Sequence, residues 1–197
     1  MSLRERKKAE TRQRIADVAT VMFVQRGFDN VPITEIAEAA GVSKVTVFNY
    51  FPRKEDILFD RFPQVREMLT GAVEGRGPDE TPVAALRRLF LDLAKEGHPV
   101  GGFQDRYVAF WRTVLASPAL RARAREADEE FVAHLADVLT GIDPQPRLTA
   151  AVVLAAFRAV YTETASRMLA GAKAADVVND HISALEQAFD TLAGGLQ

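Results

Sequence analysis

The chain has 197 residues, with 25 basic against 27 acidic side chains, 48% hydrophobic residues and no cysteine. A chain of this length buries roughly 70% of its unfolded surface, so a real core forms without disulfide or metal staples. The charge balance excludes nucleic-acid binding by bulk positive charge, and the missing thiols exclude disulfide frameworks, thiolate zinc sites, iron–sulfur clusters and cysteine nucleophiles.

Positive charge is concentrated at the start. Among residues 1–14, Arg4, Arg6, Lys7, Lys8, Arg12 and Arg14 outweigh Glu5 and Glu10, for a local charge of +4 in a chain of net charge −2. A basic arm entering a helix can track phosphates, because each neutralised phosphate releases counterions. The first helix is expected from about Lys7 to Arg26: Ile15, Val18, Ala19, Met22 and Phe23 recur at helical spacing, and Gly27 stands where a left-handed cap belongs. Pro32 opens a second helix through Ile36, Ala37 and Ala40, which Gly41 ends. Ser43 is a good N-cap for a third, very short helix, and Phe51-Pro52 forces a new start.

Beyond Pro52 the pattern stays helical. Ile57, Leu58 and Phe62 share one face of a fourth helix, and Pro63 is expected either to kink it or to start another. Gly71, Gly75 and Gly77-Pro78 mark a connection, and Thr81-Pro82 caps a helix carrying Leu86, Leu89, Phe90 and Leu93. Further helices are expected at about 103–116, 118–140, 146–170 and 174–193, which makes about nine in an all-α chain. Without strands there is no Rossmann or P-loop phosphate cradle. His98, His134 and His181 are scattered, and no glutamate has a histidine three residues on, so neither a metal nor another cofactor is expected. No apolar run suggests a membrane span, and the charged start does not suit a signal peptide, so the expected location is the cytoplasm, with no membrane partner.

The segment from Ile36 to Phe51 has the grammar of a helix-turn-helix. Ala37, Ala39 and Ala40 let two helices cross closely, Gly41 accepts the turn, Val42 fills the angle, and Val47 and Phe51 point to the core. A short exposed helix of this kind suits the major groove. With the basic amphipathic helix, Gly27-Phe28, Gly41-Val42-Ser43, Phe48-Asn49-Tyr50-Phe51-Pro52 and Lys54-Glu55-Asp56-Ile57-Leu58, the first 60 residues resemble the TetR/AcrR family of transcriptional regulators. Two positions depart from that pattern: Pro32 replaces a Ser or Thr cap, and Phe48 replaces a tyrosine of the recognition helix.

The resemblance and the side-chain chemistry imply the same roles. Lys44 and Asn49 would reach base edges and Val45 a thymine methyl. Ser43, Thr46, Tyr50 and Lys54 would hold phosphates, with Thr34, Arg4, Arg6 and Arg12 as outer contacts. Lys54 also lies near the start of the fourth helix, where backbone N–H groups favour an anion.

The resemblance further implies two domains: a helix-turn-helix DNA-binding domain at 1–60 and a helical effector-binding and dimerisation domain at 61–197. The last two helices, with Leu148, Ala151, Val152, Ala155, Ala156, Ala159 and Val160 on one and Val177, Val178, Ile182, Leu185, Phe189 and Leu192 on the other, would form a four-helix dimer interface. Two recognition helices would then lie roughly 34 to 36 Å apart on a pseudo-palindromic operator in double-stranded DNA. Phe90, Phe103, Tyr107, Phe110, Trp111, His134, Phe157 and Tyr161 are candidates for lining an effector pocket, since aromatic walls with a few polar tips suit a mid-sized planar ligand. The expected function is a homodimeric regulator released from DNA by a small molecule, with no catalytic residues. The alternatives are an activator of the same fold, a helical-bundle enzyme or cofactor-binding protein, and an adaptor whose basic arm binds acidic protein or membrane.

Overall fold

A helix begins where a side chain can satisfy the N–H groups its first turn leaves open, and the chain does this at its second residue. In a computed structural model, which describes residues 2–195, the Ser2 hydroxyl accepts from the Glu5 N–H and the Glu5 carboxylate accepts from the Ser2 N–H, a reciprocal capping box. Helix α1 therefore runs Leu3–Arg26, and the basic arm expected before Lys7 is itself helical from Leu3. Among the described residues there are ten helices and no strand.

The chain divides into two compact units, one of residues 1–60 with 112–124 and one of 61–111 with 125–197. The first holds α1, α2 (Ile33–Ala39), α3 (Lys44–Tyr50) and α4 (Glu55–Leu58). Ile15, Ala19 and Phe23 of α1 are buried, as are Ile36, Val47, Phe51 and Ile57. Segment 112–124 belongs here through two polar links: Arg123 Nε donates to Asp56 at 2.7 Å, and the Ser117 hydroxyl to Asp29 at 3.1 Å. Neither link is foreshadowed by any local pattern, because their sequence separations are 67 and 88 residues.

The turn between α2 and α3 closes as a Schellman motif. The Gly41 N–H donates to the Glu38 carbonyl, the Val42 N–H to the Ala37 carbonyl, and Gly41 takes φ +65°. Ser43 then caps α3, its hydroxyl accepting from the Thr46 N–H at 3.0 Å.

The second unit packs α5 (Phe62–Glu74), α6 (Pro82–Lys95), α9 (Pro146–Leu169) and α10 (Ala174–Gly195) around Leu69, Val73, Leu86, Phe90, Leu185 and Phe189. In the chain, α7 (Tyr107–Ala116) and α8 (Pro118–Leu139) each run across a boundary between the units. Three expectations change here. Phe62 is not on the fourth helix: α4 ends at Leu58, and Pro63 lies in the first turn of a new helix, where a missing N–H costs nothing. Gly71 lies inside α5, not in a loop, since one exposed glycine costs a long helix only about 1 kcal/mol. Phe103 precedes α7, in a loop that the glycines at 101 and 102 keep from becoming helix.

A Cβ added to Gly41 would have no neighbouring atom within 4 Å, so a substitution there meets only the backbone penalty of a left-handed residue. Gly41→Ala should cost roughly 1 to 2 kcal/mol, read as a lowered thermal midpoint by circular dichroism with the helical signal intact.

Candidate functional site

Helix α3 shows opposite faces. Val47 is fully buried, with Phe51 just beyond the helix, while Ser43, Lys44, Val45, Phe48 and Asn49 are exposed and Thr46 and Tyr50 half-buried. Val45 keeps 68% of its surface and Phe48 40%, unusual for apolar side chains on a seven-residue helix that could have turned them inward. The Lys44 ammonium lies 5.9 Å from the Phe48 ring centroid, so cation and aromatic face share one patch. Ser43 and Thr46 are tied to each other, hydroxyl to hydroxyl at 2.8 Å, in addition to the N-cap bond. Their first task is holding the start of the helix.

The expected phosphate-binding cations separate into two groups. Arg4 and Arg6 are exposed on α1, Arg6 with only a loose 3.6 Å pairing to Glu10, and Thr34 is exposed in the first turn of α2. Arg12 and Lys54 turn inward. Arg12 Nη1 donates to the Asp60 carbonyl at 3.1 Å and its guanidinium stacks 4.4 Å from the Phe51 centroid. Lys54 Nζ donates to the Phe28 carbonyl at 2.6 Å and lies 4.2 Å from the Phe28 ring centroid. Burial lowers the Lys54 pKa, with Asp29 and Glu55 opposing. The α4 start invoked for an anion offers one four-residue helix with Lys54 itself as N-cap, so little dipole gathers there. Sequence reasoning also missed Arg14, whose Nε donates to the Ala40 carbonyl at 3.0 Å and so caps the end of α2, and Arg26, which pairs with Glu35. Pairing with Arg26 holds the Glu35 carboxyl below its ordinary range.

In the second unit the aromatic candidates form a continuous run of rings. Phe90 stacks on Phe157 at 4.2 Å, Phe157 meets Tyr161 at 5.7 Å, and Tyr161 meets Phe103 at 4.9 Å and Trp111 at 6.2 Å. Tyr107 reaches Trp111 at 6.5 Å, and Phe110 packs beside the same cluster. Trp111 Nε1 donates to the Tyr161 hydroxyl at 3.1 Å, and burial of that phenol raises its pKa to about 12. His134 stands apart from these rings. Its Nε2 is shared between the Thr70 hydroxyl at 2.9 Å and the Arg66 carbonyl at 3.2 Å, so it joins α8 to α5.

Sequence reasoning missed His181. It is 1% exposed, its ring edge meets Phe103 at 4.6 Å, and its Nδ1 lies 3.0 Å from the Thr164 hydroxyl. The signal was present: Val177, His181, Leu185 and Phe189 fall four residues apart on the buried face of α10.

The family model described as bacterial regulatory proteins, tetR family, matches residues 15–60, the stretch that builds α2, the glycine turn and α3. Over this head the chain is similar to the TetR family of regulators. Among curated relatives, the HTH-type transcriptional regulator TcmR of Streptomyces glaucescens is 29% identical over 164 residues, 80% of this chain and 73% of TcmR. The transcriptional repressor LfrR of Mycolicibacterium smegmatis is 33% identical over 123 residues, 62% of this chain and 61% of LfrR. In fold the chain is like NalD, the secondary repressor of the MexAB-OprM multidrug efflux pump in Pseudomonas aeruginosa, with TM-score 0.57 at 18% identity over 91% of this chain and 96% of NalD.

The inward-turned side chains should be readable in the stability of the protein. Lys54→Ala removes the charged donor from the Phe28 carbonyl and leaves it the Val31 N–H at 3.3 Å, and should lower the stability of the head by roughly 1 to 2 kcal/mol, read as an earlier loss of helical signal in urea. Burial lowers the His181 pKa to about 4, with the Gly101 backbone acting in the opposite direction. The unfolded chain therefore binds a proton below its ordinary value near 6.5 while the folded chain does not. Stability should be full above pH 6.5 and decline as pH falls toward 4, by roughly 3 kcal/mol at most. His181→Leu should flatten that part of the pH profile in denaturant titrations.

Proposed function

We propose that this protein is a TetR-family regulator that binds a pseudo-palindromic operator as a homodimer through α3, represses the adjacent promoter, and leaves the DNA when a small molecule occupies the aromatic site of its second unit. The observation that carries the reading is the two-sided α3: Val47 is wholly buried while Lys44, Val45, Phe48 and Asn49 stand outward on a helix short enough to enter a major groove. Lys44 reads guanine acceptors, Asn49 adenine, and Val45 a thymine methyl. Phe48 joins them as a second apolar contact, a role its tyrosine-like position had obscured. Arg4 and Arg6, with Thr34, Thr46 and Tyr50, are the phosphate contacts. Ser43 works through its cap, and Arg12 and Lys54 through the carbonyls they hold.

A dimer through α9 and α10 fits the apolar surface those helices leave uncovered. Helix α9 is long and apolar enough in composition to cross a membrane, yet only 28% of its most apolar stretch is buried, and Leu148 keeps 49% of its surface. Charged Arg158 and Glu163 interrupt it, Arg158 paired with Asp128 at 2.7 Å. A second copy of the same surface is the economical cover for such a face. The cytoplasm, where the operator lies, is the proposed location.

Lys44→Ala and Asn49→Ala should each cost roughly 1 to 3 kcal/mol on the operator while leaving random duplex nearly unaffected. Arg4→Ala with Arg6→Ala should weaken both duplexes and lower the slope of log K against log salt by about 2. Fluorescence anisotropy over a salt series measures both. Equal losses on operator and random DNA for Lys44→Ala would overturn the base-reading role.

A further inference from the structure

A buried polar atom in the second unit has no partner. His181 Nε2 makes no hydrogen bond of ordinary geometry, the Gly101 backbone being the other polar group that acts on the ring, although the ring is 1% exposed and its Nδ1 is held by Thr164. An orphan of this kind costs stability, so its persistence beside a wall of rings asks for an occupant. The ring packed on His181 is Phe103, T-shaped to it at 4.6 Å between centroids, and Phe103 also meets Tyr161 at 4.9 Å and Trp111 at 5.4 Å. These are the separations at which an aromatic ligand would sit on the same walls.

Phe103 reaches this place from a loop, not a helix. The loop closes on itself: the Gln104 side-chain amide and the Tyr107 hydroxyl both donate to the Gly97 carbonyl, at 2.8 and 3.0 Å, and the Gly102 N–H donates to the His98 carbonyl at 2.7 Å. A Cβ on Gly102 would stand 2.4 Å from Gly97 Cα, so the close turn demands glycine. Beyond Phe103, Asp105 accepts from the Ala174 N–H at the start of α10. The anchors flank Phe103, so its ring can swing out without breaking a helix.

We infer that Phe103 is an intramolecular stand-in for an uncharged hydroxyaryl ligand, which enters by displacing that ring and gives its hydroxyl to His181 Nε2. The inference rests on the effector role proposed above for the aromatic site and adds its chemistry. A hydroxyl is required because the Thr164 proton can serve either the Val160 carbonyl, 3.2 Å away, or His181 Nδ1. In one case Nε2 is an acceptor and in the other a donor, and a hydroxyl answers both. A carboxylate is disfavoured: the buried members of the cluster, Phe103, Trp111, Ala165, Met168 and Val177, carry no charge, and burial keeps His181 neutral near pH 7.

The test is calorimetric titration of the full chain with phenol, toluene and benzoate, on wild type, Phe103→Ala and the milder Phe103→Leu, with the ring nitrogens of 15N-labelled histidine followed by NMR. Phenol should bind Phe103→Ala at least tenfold more tightly than wild type, and roughly tenfold more tightly than toluene does, with benzoate weakest. The His181 Nε2 signal should move in every folded form that binds phenol, and those of His98 and His134 should not. Toluene binding Phe103→Ala as well as phenol does, equal phenol affinity with and without the Phe103 ring, or an unmoved His181 signal in the wild-type chain under saturating phenol would each overturn the inference. Should Phe103→Ala fail to fold, Phe103→Leu and the wild-type nitrogen signal decide alone. No DNA enters these titrations. A chain that binds phenol as stated but no operator overturns the regulator reading and leaves this one, and operator binding with an unmoved His181 does the reverse.

Discussion

Cations donating to backbone carbonyls hold the DNA-binding head together. Three of the four helices in residues 1–60 are short, two of seven residues and one of four, and short helices turn a large share of their carbonyls toward side-chain donors. Arg14 takes the Ala40 carbonyl at the end of α2, Arg12 the Asp60 carbonyl, and Lys54 the Phe28 carbonyl, the last two also stacking on the Phe51 and Phe28 rings. Each bond joins segments 26 or 48 residues apart, closing the loops that the short helices cannot close by their own packing. The stub α3 is anchored by Val47 and, just beyond it, Phe51, and Lys44, Val45, Phe48 and Asn49 stay in solvent.

Basic residues in a DNA-binding chain therefore do two unlike jobs, and proximity to the motif does not tell them apart. Arg12 and Lys54 flank the recognition segment in sequence yet spend their donors internally, while Arg4 and Arg6 are more distant and remain in solvent. The difference is a local balance of desolvation against hydrogen bonding. A guanidinium over an aromatic ring beside a backbone carbonyl gains more by docking than by hydration.

The second unit uses the same logic with rings in place of cations. Its aromatic run from Phe90 to Trp111 is tied by one hydrogen bond, Trp111 to Tyr161, and by ring contacts that tolerate rearrangement better than interlocked aliphatic packing. Phe103 enters that run from a loop whose bonds lie on either side of it, which distinguishes it from Phe90, Phe157 and Tyr161, fixed on helices. His134, counted with these rings from its apolar neighbours, belongs instead to a polar junction between α5 and α8.

By itself the sequence determined what depends on neighbours a few residues away: the all-helical class, the Gly41 turn, the Ser43 and Thr81 caps, the buried Val47 and Phe51, and a family resemblance legible over the first 60 residues. Capping and periodicity are local, so they survive reading in one dimension. Tertiary structure alone decided which cations face inward, that Pro63 opens a helix and does not bend one, that residues 112–124 join the first unit, and that Phe103 and His181 meet. Those outcomes turn on partners dozens of residues away, and whether a side chain gains more from such a partner than from water is set only once the chain has brought them together.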